Sequence, residues 1–357
     1  MVGRRQGRRR LGVEELESFC GGKTMASRSP IFRRFLASGA ALALLGSSWA
    51  STSGRAAPVR ALPTISIALV SDINTLDPAI SSSFYDRQIM NNIYDKLFDL
   101  NGKGHIVDDL ATSYKVSKNG LVYTITLRKG VKFQDGTPFN AAAAKFNLDR
   151  YRQPSSAPRA TELALVSSVD TAGAYTVKIT LSAPFAPLIS ILTDRSGMMC
   201  SPKAVQDEGA SYALQPVGTG PFKLQERVKG DHITLVRNPN YWRKGYPKAQ
   251  SVVFKIFTDP NTQFLNLQSG QVDFIDTVTA ETLVSFKGDK SLAVVNKAGY
   301  GWGGFWLNTN TPPFNNRALR QVVSMLIDRK QFIKATGAGV ALPADSPFGP
   351  GDLAYSS

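Results

Sequence analysis

The chain has 357 residues, 43% of them hydrophobic and 19% charged. That is the composition of a globular protein and excludes a disordered one, and the length suffices for two lobes with separate cores. The net charge of +15 is concentrated at the start, where residues 1–60 carry 11 Lys/Arg against 3 Asp/Glu; no nucleic-acid recognition motif accompanies it, so nucleic acid is not the expected partner.

In chain order, Arg28, Arg33 and Arg34 precede an apolar run from Leu36 to Trp49, and Ser48-Trp49-Ala50 places small residues where a signal peptidase reads. The run is shorter than the about 20 residues that span a bilayer, so residues 25–50 are read as a cleaved export signal and the mature protein as periplasmic. The pair Arg33-Arg34 leaves both the general secretory and the twin-arginine routes open. Residues 1–24 do not fit such a signal, and Met25 is the expected start. Residues 51–64 form a leader rich in small residues and proline. Once the signal is removed Cys200 is the remaining cysteine, expected as a buried small hydrophobe.

A first strand is expected at Ile65–Val70, ended by the polar run to Pro78, and a helix at Phe84–Phe98 with Tyr85, Ile89, Ile93 and Leu97 on one stripe. Asn119-Gly120 predicts a hairpin between Tyr114–Ser117 and Leu121–Leu127. A second strand pair, Leu163–Val169 and Tyr175–Leu181, turns at Ala172-Gly173, and an Ala-rich helix, Asn140–Tyr151, separates the pairs. A helix at Pro184–Leu192 follows, then strands at Phe222–Arg227, Ile233–Arg237 and Ser251–Phe257, and a helix opened by Asp259-Pro260. Strands are expected at Ala293–Val295 and Trp302–Leu307. Asn315 or Asn316 caps an amphipathic helix with Leu319, Val322, Val323, Leu326 and Ile327 on one face, and Asp328 with Gln331 opens another.

The residues that would carry chemistry are missing. His105 and His232 stand far apart with no acidic or cysteine cluster beside them, no zinc spacing is present, and Gly-x-Ser-x-Gly does not occur. Gly218-Thr219-Gly220 lacks the Lys-Ser/Thr of a phosphate loop and reads as backbone geometry. No enzyme, metal or cofactor is expected. The aromatic run Tyr300, Trp302, Phe305 and Trp306 lies among glycines. Trp302 is equally a ligand-lining and a packing residue, whereas Phe305, on the opposite side of a strand, is expected in the core.

Several blocks together resemble family 5 of the bacterial extracellular solute-binding proteins, the dipeptide, oligopeptide and nickel-chelate receptors of ABC importers. They include Asn74-Thr-Leu-Asp-Pro78, Asn92-Ile-Tyr-Asp-Lys-Leu-Phe98, Asp109 to Tyr114, Tyr123 to Phe139, Val217 to Phe222, Arg237 to Trp242, Gly270 to Asp273 and Asn308 to Asn316. The resemblance spans residues 65–357. It implies an α/β, two-lobed periplasmic-binding-protein fold (type II-like, cluster C). Residues 65–299 would form lobe one, with an inserted α+β subdomain at about 106–182, and 300–357 would start a second lobe that is incomplete because family members run longer. It further implies a peptide or other small solute held between hinged lobes, a monomer, and a membrane permease as partner; a metal chelate, an opine or a sugar is the alternative solute. The positions it directs toward the cleft are Ser82, Ser83, Phe84, Tyr85, Tyr300 and Trp302. Arg195 is a candidate for a ligand carboxylate, weighed against an ordinary surface loop.

Overall fold

Strand β2 (Thr64–Leu69) alternates by side. Ile67 and Leu69 enter one apolar cluster and Ala68 another, because successive side chains of a strand point to opposite faces. The computed structural model describes residues 2–4, 62–276, 278–286, 289, 291–294, 304–336 and 342–344. Tyr300, Trp302 and residues 25–61, expected as an export signal and the leader behind it, lie outside them.

Among the described residues the larger sheet has seven strands in the order β13-β1-β12-β2-β11-β10-β9. These are β1 (Val2–Arg4), β2, β9 (Phe222–Val228), β10 (His232–Arg237), β11 (Ser251–Ile256), β12 (Phe274–Ile275) and β13 (Leu292–Val294). The centre is parallel, with β2 between β11 and β12, and the remaining pairs are antiparallel. Helix Phe84–Ile93 packs on one face through Ile89, Met90 and Ile93, and helix Pro260–Ser269 contributes Phe264 and Leu267 to the cluster on the other. Covering both faces is what a sheet with a parallel centre requires.

A second sheet, antiparallel in the order β5-β6-β8-β7, comprises β5 (Ala111–Val116), β6 (Val122–Leu127), β7 (Val166–Thr171) and β8 (Thr176–Leu181). Tyr123, Ile125 and Leu127 are buried with Val177, Ile179 and Leu181, against Ala144, Leu148 and Tyr151 of helix Ala141–Tyr151. Both expected hairpins form, and Gly120 and Gly173 take positive φ at their turns (71° and 94°), as the turn geometry demands. A small pair, β3 (Phe98–Leu100) and β4 (Ile106–Asp108), precedes this sheet.

The helix expected at Phe84–Phe98 ends at Ile93, and the reason is hydrogen-bond competition. The Ile93 carbonyl accepts from Gly220 N at 2.9 Å and from Gln134 Nε2 at 3.1 Å, while Leu97 N donates to Gly197 O. Continuing the helix would require Leu97 N to reach Ile93 O. The glycines make this approach possible, since a Cβ on Gly218 would lie 2.2 Å from Ile93 O. The helix expected at Pro184–Leu192 shrinks to Leu188–Ile191, because Pro187 lacks an N–H and biases Ala186 away from helical backbone. The strand expected from Leu163 starts at Val166, preceded by an unanticipated short helix, Ala157–Glu162.

Helix Arg317–Leu326 is capped by Asn316, whose side chain accepts from Ala318 N and Leu319 N, and helix Arg329–Thr336 follows Asp328 as the capping residues predict. The apolar face of the first is not covered by the described residues: Val322 and Leu326 are exposed. Gly304–Leu307 is irregular and not a strand. Phe305 is 64% exposed and meets Phe332 edge-on at 6.2 Å, so the expectation of a core position fails; its partners on a pleated strand do not form.

Candidate functional site

The polar segment after β2 is held from below by buried groups. The Asp86 carboxylate, fully buried on the first turn of helix Phe84–Ile93, accepts from Asn74 N at 2.7 Å and from the Ser81 hydroxyl at 2.9 Å. Asp77 accepts from Ala79 N and takes both terminal nitrogens of Arg150, one at 2.9 Å, in a two-pronged pair with the helix of the second sheet. The Tyr94 hydroxyl donates to Leu76 O. The segment is thereby preorganised.

Ser83 is the N-cap. Its hydroxyl accepts from Tyr85 N at 3.1 Å, the usual satisfaction of an orphan helix donor. Ser82 and Phe84 point outward, Phe84 being 56% exposed. Phe84 packs edge-on against Tyr85 and under the Arg87 guanidinium, 5.5 Å from its ring centre. Tyr85 is half-buried; burial raises its phenol above the ordinary range, and the nearby Asp276 charge adds to the rise.

Arg195 is not on a surface loop. It is 8% exposed, in the turn Arg195–Gly197, and donates to the Ser81 hydroxyl at 3.3 Å, the Ser83 carbonyl at 3.2 Å and the Asp194 carboxylate at 3.2 Å. Arg87 also pairs with Asp194, at 3.1 Å. Burial pushes the Asp194 carboxyl up, but Arg87 and Arg195 outweigh it and hold the group below the usual carboxylate range. Four of the seven candidate residues are therefore contiguous, and Arg195, distant in sequence, joins them directly. Tyr300 and Trp302 lie outside the described residues.

Arg159, on the short helix Ala157–Glu162, was not singled out by sequence. It is 4% exposed and bound to Glu162 at 2.9 Å, and the Ser196 hydroxyl donates to the other Glu162 oxygen. Burial lowers its pKa, and Glu162 only partly offsets this. Its one advance signal was an arginine placed amid small residues in a segment without a periodic pattern.

The remaining signature blocks are structural. Asp95, buried, accepts from Tyr241 Oη at 2.9 Å and Trp242 Nε1 at 2.7 Å; Asp109, buried nearby, accepts from Lys96 N and from Arg243 Nη2 at 2.6 Å. The Arg128 and Arg243 guanidinia both lie over the Trp242 ring, at 4.6 and 4.7 Å from its centre. His232, the first residue of β10, pairs with Asp231 before it and with Glu226 of β9. Among the described residues no cluster of His, Cys, Asp or Glu could hold a metal, and no helix is long and apolar enough to cross a membrane. Cys200 is a fully buried free thiol, pushed up by burial to about 11 and therefore inert. An open groove of about 570 Å³ lined by Ile73, Asn74, Leu214, Leu224, Arg227 and Lys229 includes neither Ser82–Tyr85 nor Arg195.

Comparison with known proteins agrees with this picture. The chain is 33% identical over 314 residues to the glutathione-binding protein GsiB of Salmonella choleraesuis, covering 86% of the chain and 61% of that relative. Its fold is similar to that of DppA from Helicobacter pylori in complex with the peptide STSA, with a TM-score of 0.72, 26% identity, and 82% and 62% of the two chains covered. It is also similar to MoaA from A. tumefaciens R10 in complex with mannopinic acid, with a TM-score of 0.69, 26% identity, and 78% and 58% covered. The chain spans about three fifths of the length of these relatives. The profile described as bacterial extracellular solute-binding proteins, family 5 Middle, matches residues 105–357. With its mixed α/β periplasmic-binding-protein fold, the chain belongs to family 5 of the bacterial extracellular solute-binding proteins, a family of binding proteins and not of catalysts.

Proposed function

We propose that this chain captures a peptide or peptide-like solute outside the cytoplasm and presents it to the permease of an ABC importer. One observation carries the reading: Ser82, Ser83 and Phe84 form an outward-facing helix start whose backbone is pinned from behind by a buried arginine, Arg195. An exposed aromatic on a rigid polar support is what a binding wall needs, because little ordering entropy remains to be lost when the solute arrives. The proposal assigns Phe84 to stacking or apolar contact, Ser82 and the Ser83 backbone to hydrogen bonding, and Arg195 to a solute carboxylate, with Tyr300 and Trp302 as further aromatic lining. Hinged lobes would convert binding into a signal, since a solute shifts the protein toward whichever arrangement it contacts more.

The relatives' ligands support this choice of solute class: glutathione, the STSA peptide and mannopinic acid all carry carboxylates. Isothermal titration of the purified protein against glutathione, short peptides, opines and metal chelates tests the reading. The expected outcome is saturable one-to-one binding of a peptide-like member at micromolar or tighter affinity. Binding confined to a chelate or an opine would reassign the solute, and binding of none would remove the receptor function.

A further inference from the structure

Two stretches of the chain carry no acid: residues 110–134 hold five Lys/Arg, and residues 232–258 hold five more. The fold brings them together at one ring, since the Arg128 and Arg243 guanidinia both lie over Trp242. Lys129, next to Arg128, stands 5.8 Å from the centre of the Tyr175 ring. Lys248 stands 5.7 Å from that of Tyr246, whose N–H donates to the Arg243 carbonyl, and Lys244 lies within the turn so closed. A cation over an aromatic face is attracted by the ring's quadrupole, which restrains an otherwise mobile side chain.

Little negative charge answers this patch. Asp95 accepts from Trp242 and Asp109 pairs with Arg243, but both carboxylates are buried. For Arg128, Lys129 and Lys244 no ion pair is present among the described residues. The adjoining β3–β4 pair adds Asp99, which Lys96 holds at 2.6 Å, and the exposed Asp108. The cations are spread over three rings and do not converge on one point, so the patch suits an extended anionic surface and not a single small ion. Tyr246 is 42% exposed between Lys244 and Lys248, and an exposed phenol among cations, apolar in its body and polar at its tip, is the kind of side chain that settles at the headgroup level of a bilayer.

We propose that the loop of residues 242–248, with Arg128 and Lys129, is a docking surface for an anionic phospholipid bilayer. Each Lys or Arg near such a surface strengthens the attraction by about fivefold, and the effect fades within a Debye length. The surface includes neither Ser82–Tyr85 nor Arg195, so it operates whichever solute the receptor takes. A protein held there searches a thin layer beside the membrane, which raises its encounter rate with a membrane partner.

Residues 1–60 are strongly basic as well, so the readout must be local to the patch. Hydrogen exchange of the full-length protein is followed with vesicles of equal parts phosphatidylglycerol and phosphatidylcholine, with pure phosphatidylcholine vesicles, and with soluble polyglutamate. At lipid about ten times the apparent dissociation constant, exchange of the amides of residues 241–248 is expected to slow by about tenfold with the anionic vesicles and to stay unchanged with the neutral ones. Raising salt from about 0.1 M to about 1 M is expected to remove the slowing, because the Debye length falls from about 10 Å to about 3 Å. The triple variant Lys129→Gln, Lys244→Gln, Lys248→Gln is expected to bring it below about twofold. Lys118→Gln, Lys203→Gln, Lys229→Gln, the same loss of charge elsewhere, is expected to keep it. All six lysines are exposed, so both variants are expected to fold. Vesicle binding that leaves these amides unslowed, equal slowing by neutral vesicles, slowing at least as strong with polyglutamate, or a patch variant that keeps the slowing would overturn the proposal and leave the receptor reading standing.

Discussion

Arg195 Nη2 donates to the Ser83 carbonyl at 3.2 Å, joining two residues 112 positions apart. The bond ties the turn that follows the second sheet to the first turn of the helix lying on the larger sheet, so one arginine sets the position of the whole Ser81–Phe84 segment. Replacing Arg195 by Ala leaves Asp194 with Arg87 alone and frees the Ser81 and Ser83 oxygens. The expected loss is about 1–3 kcal/mol of stability, because hydrogen bonds of a buried guanidinium are lost while Asp194, about a third exposed, keeps Arg87, together with weaker solute binding. Chemical denaturation and titration on the same sample measure both.

Phe84 separates site from scaffold. At 56% exposure it contributes little to folding, so Phe84→Ala is expected to change stability by no more than about 0.5 kcal/mol. If it stacks on the solute, the same change weakens binding by about 1–3 kcal/mol. Equal binding by a folded variant would move Phe84 out of the wall.

The Asp77–Arg150 pair joins the two sheets' helical layers and is shielded from water. Arg150→Met strands a buried carboxylate and is expected to cost about 3–5 kcal/mol, read as a lower urea midpoint. Asp77→Asn keeps part of the hydrogen bonding and is expected to cost about 1–3 kcal/mol.

Asp109 makes stability depend on pH in an unusual direction. Burial, then the neighbouring Asp95 charge, raise its carboxyl to about 7, against the pull of Arg243 and the Lys96 N–H. A folded value above the unfolded one means the group stabilises the fold below the ordinary carboxylate value near 4 and loses that contribution as pH rises through about 7. Asp95 is raised too, chiefly by burial. His232, raised mainly by its hydrogen bond to Asp231, has the same sign, so the control is Asp109→Asn. The wild-type melting temperature is expected to fall between pH 5 and pH 8 more steeply than that of the variant; parallel slopes would contradict the assignment.

Much of this architecture was legible in the chain. Asn119-Gly120 and Ala172-Gly173 placed the hairpins because positive φ is chemically restricted. Asp259 and Gly270 bounded a helix because caps are local. What stayed hidden depended on partners far away in sequence. Nothing near Ile93 announces that Gly220 and Gln134 will take its carbonyl and stop the helix. Ser82–Tyr85 and Arg195 were readable as candidates only through the family resemblance, and the burial of Arg159, with Nε and Nη1 unpartnered among the described residues, is a property of packing and not of pattern.

A receptor holds its solute and leaves it unchanged, and equilibrium dialysis of the purified protein against glutathione and a short-peptide mixture, with mass analysis of the solute recovered from the protein compartment, checks both at once. Retention approaching one equivalent of a single acidic species at its original mass is expected. Solute recovered in cleaved form, or no retention above the buffer compartment, would overturn the receptor reading.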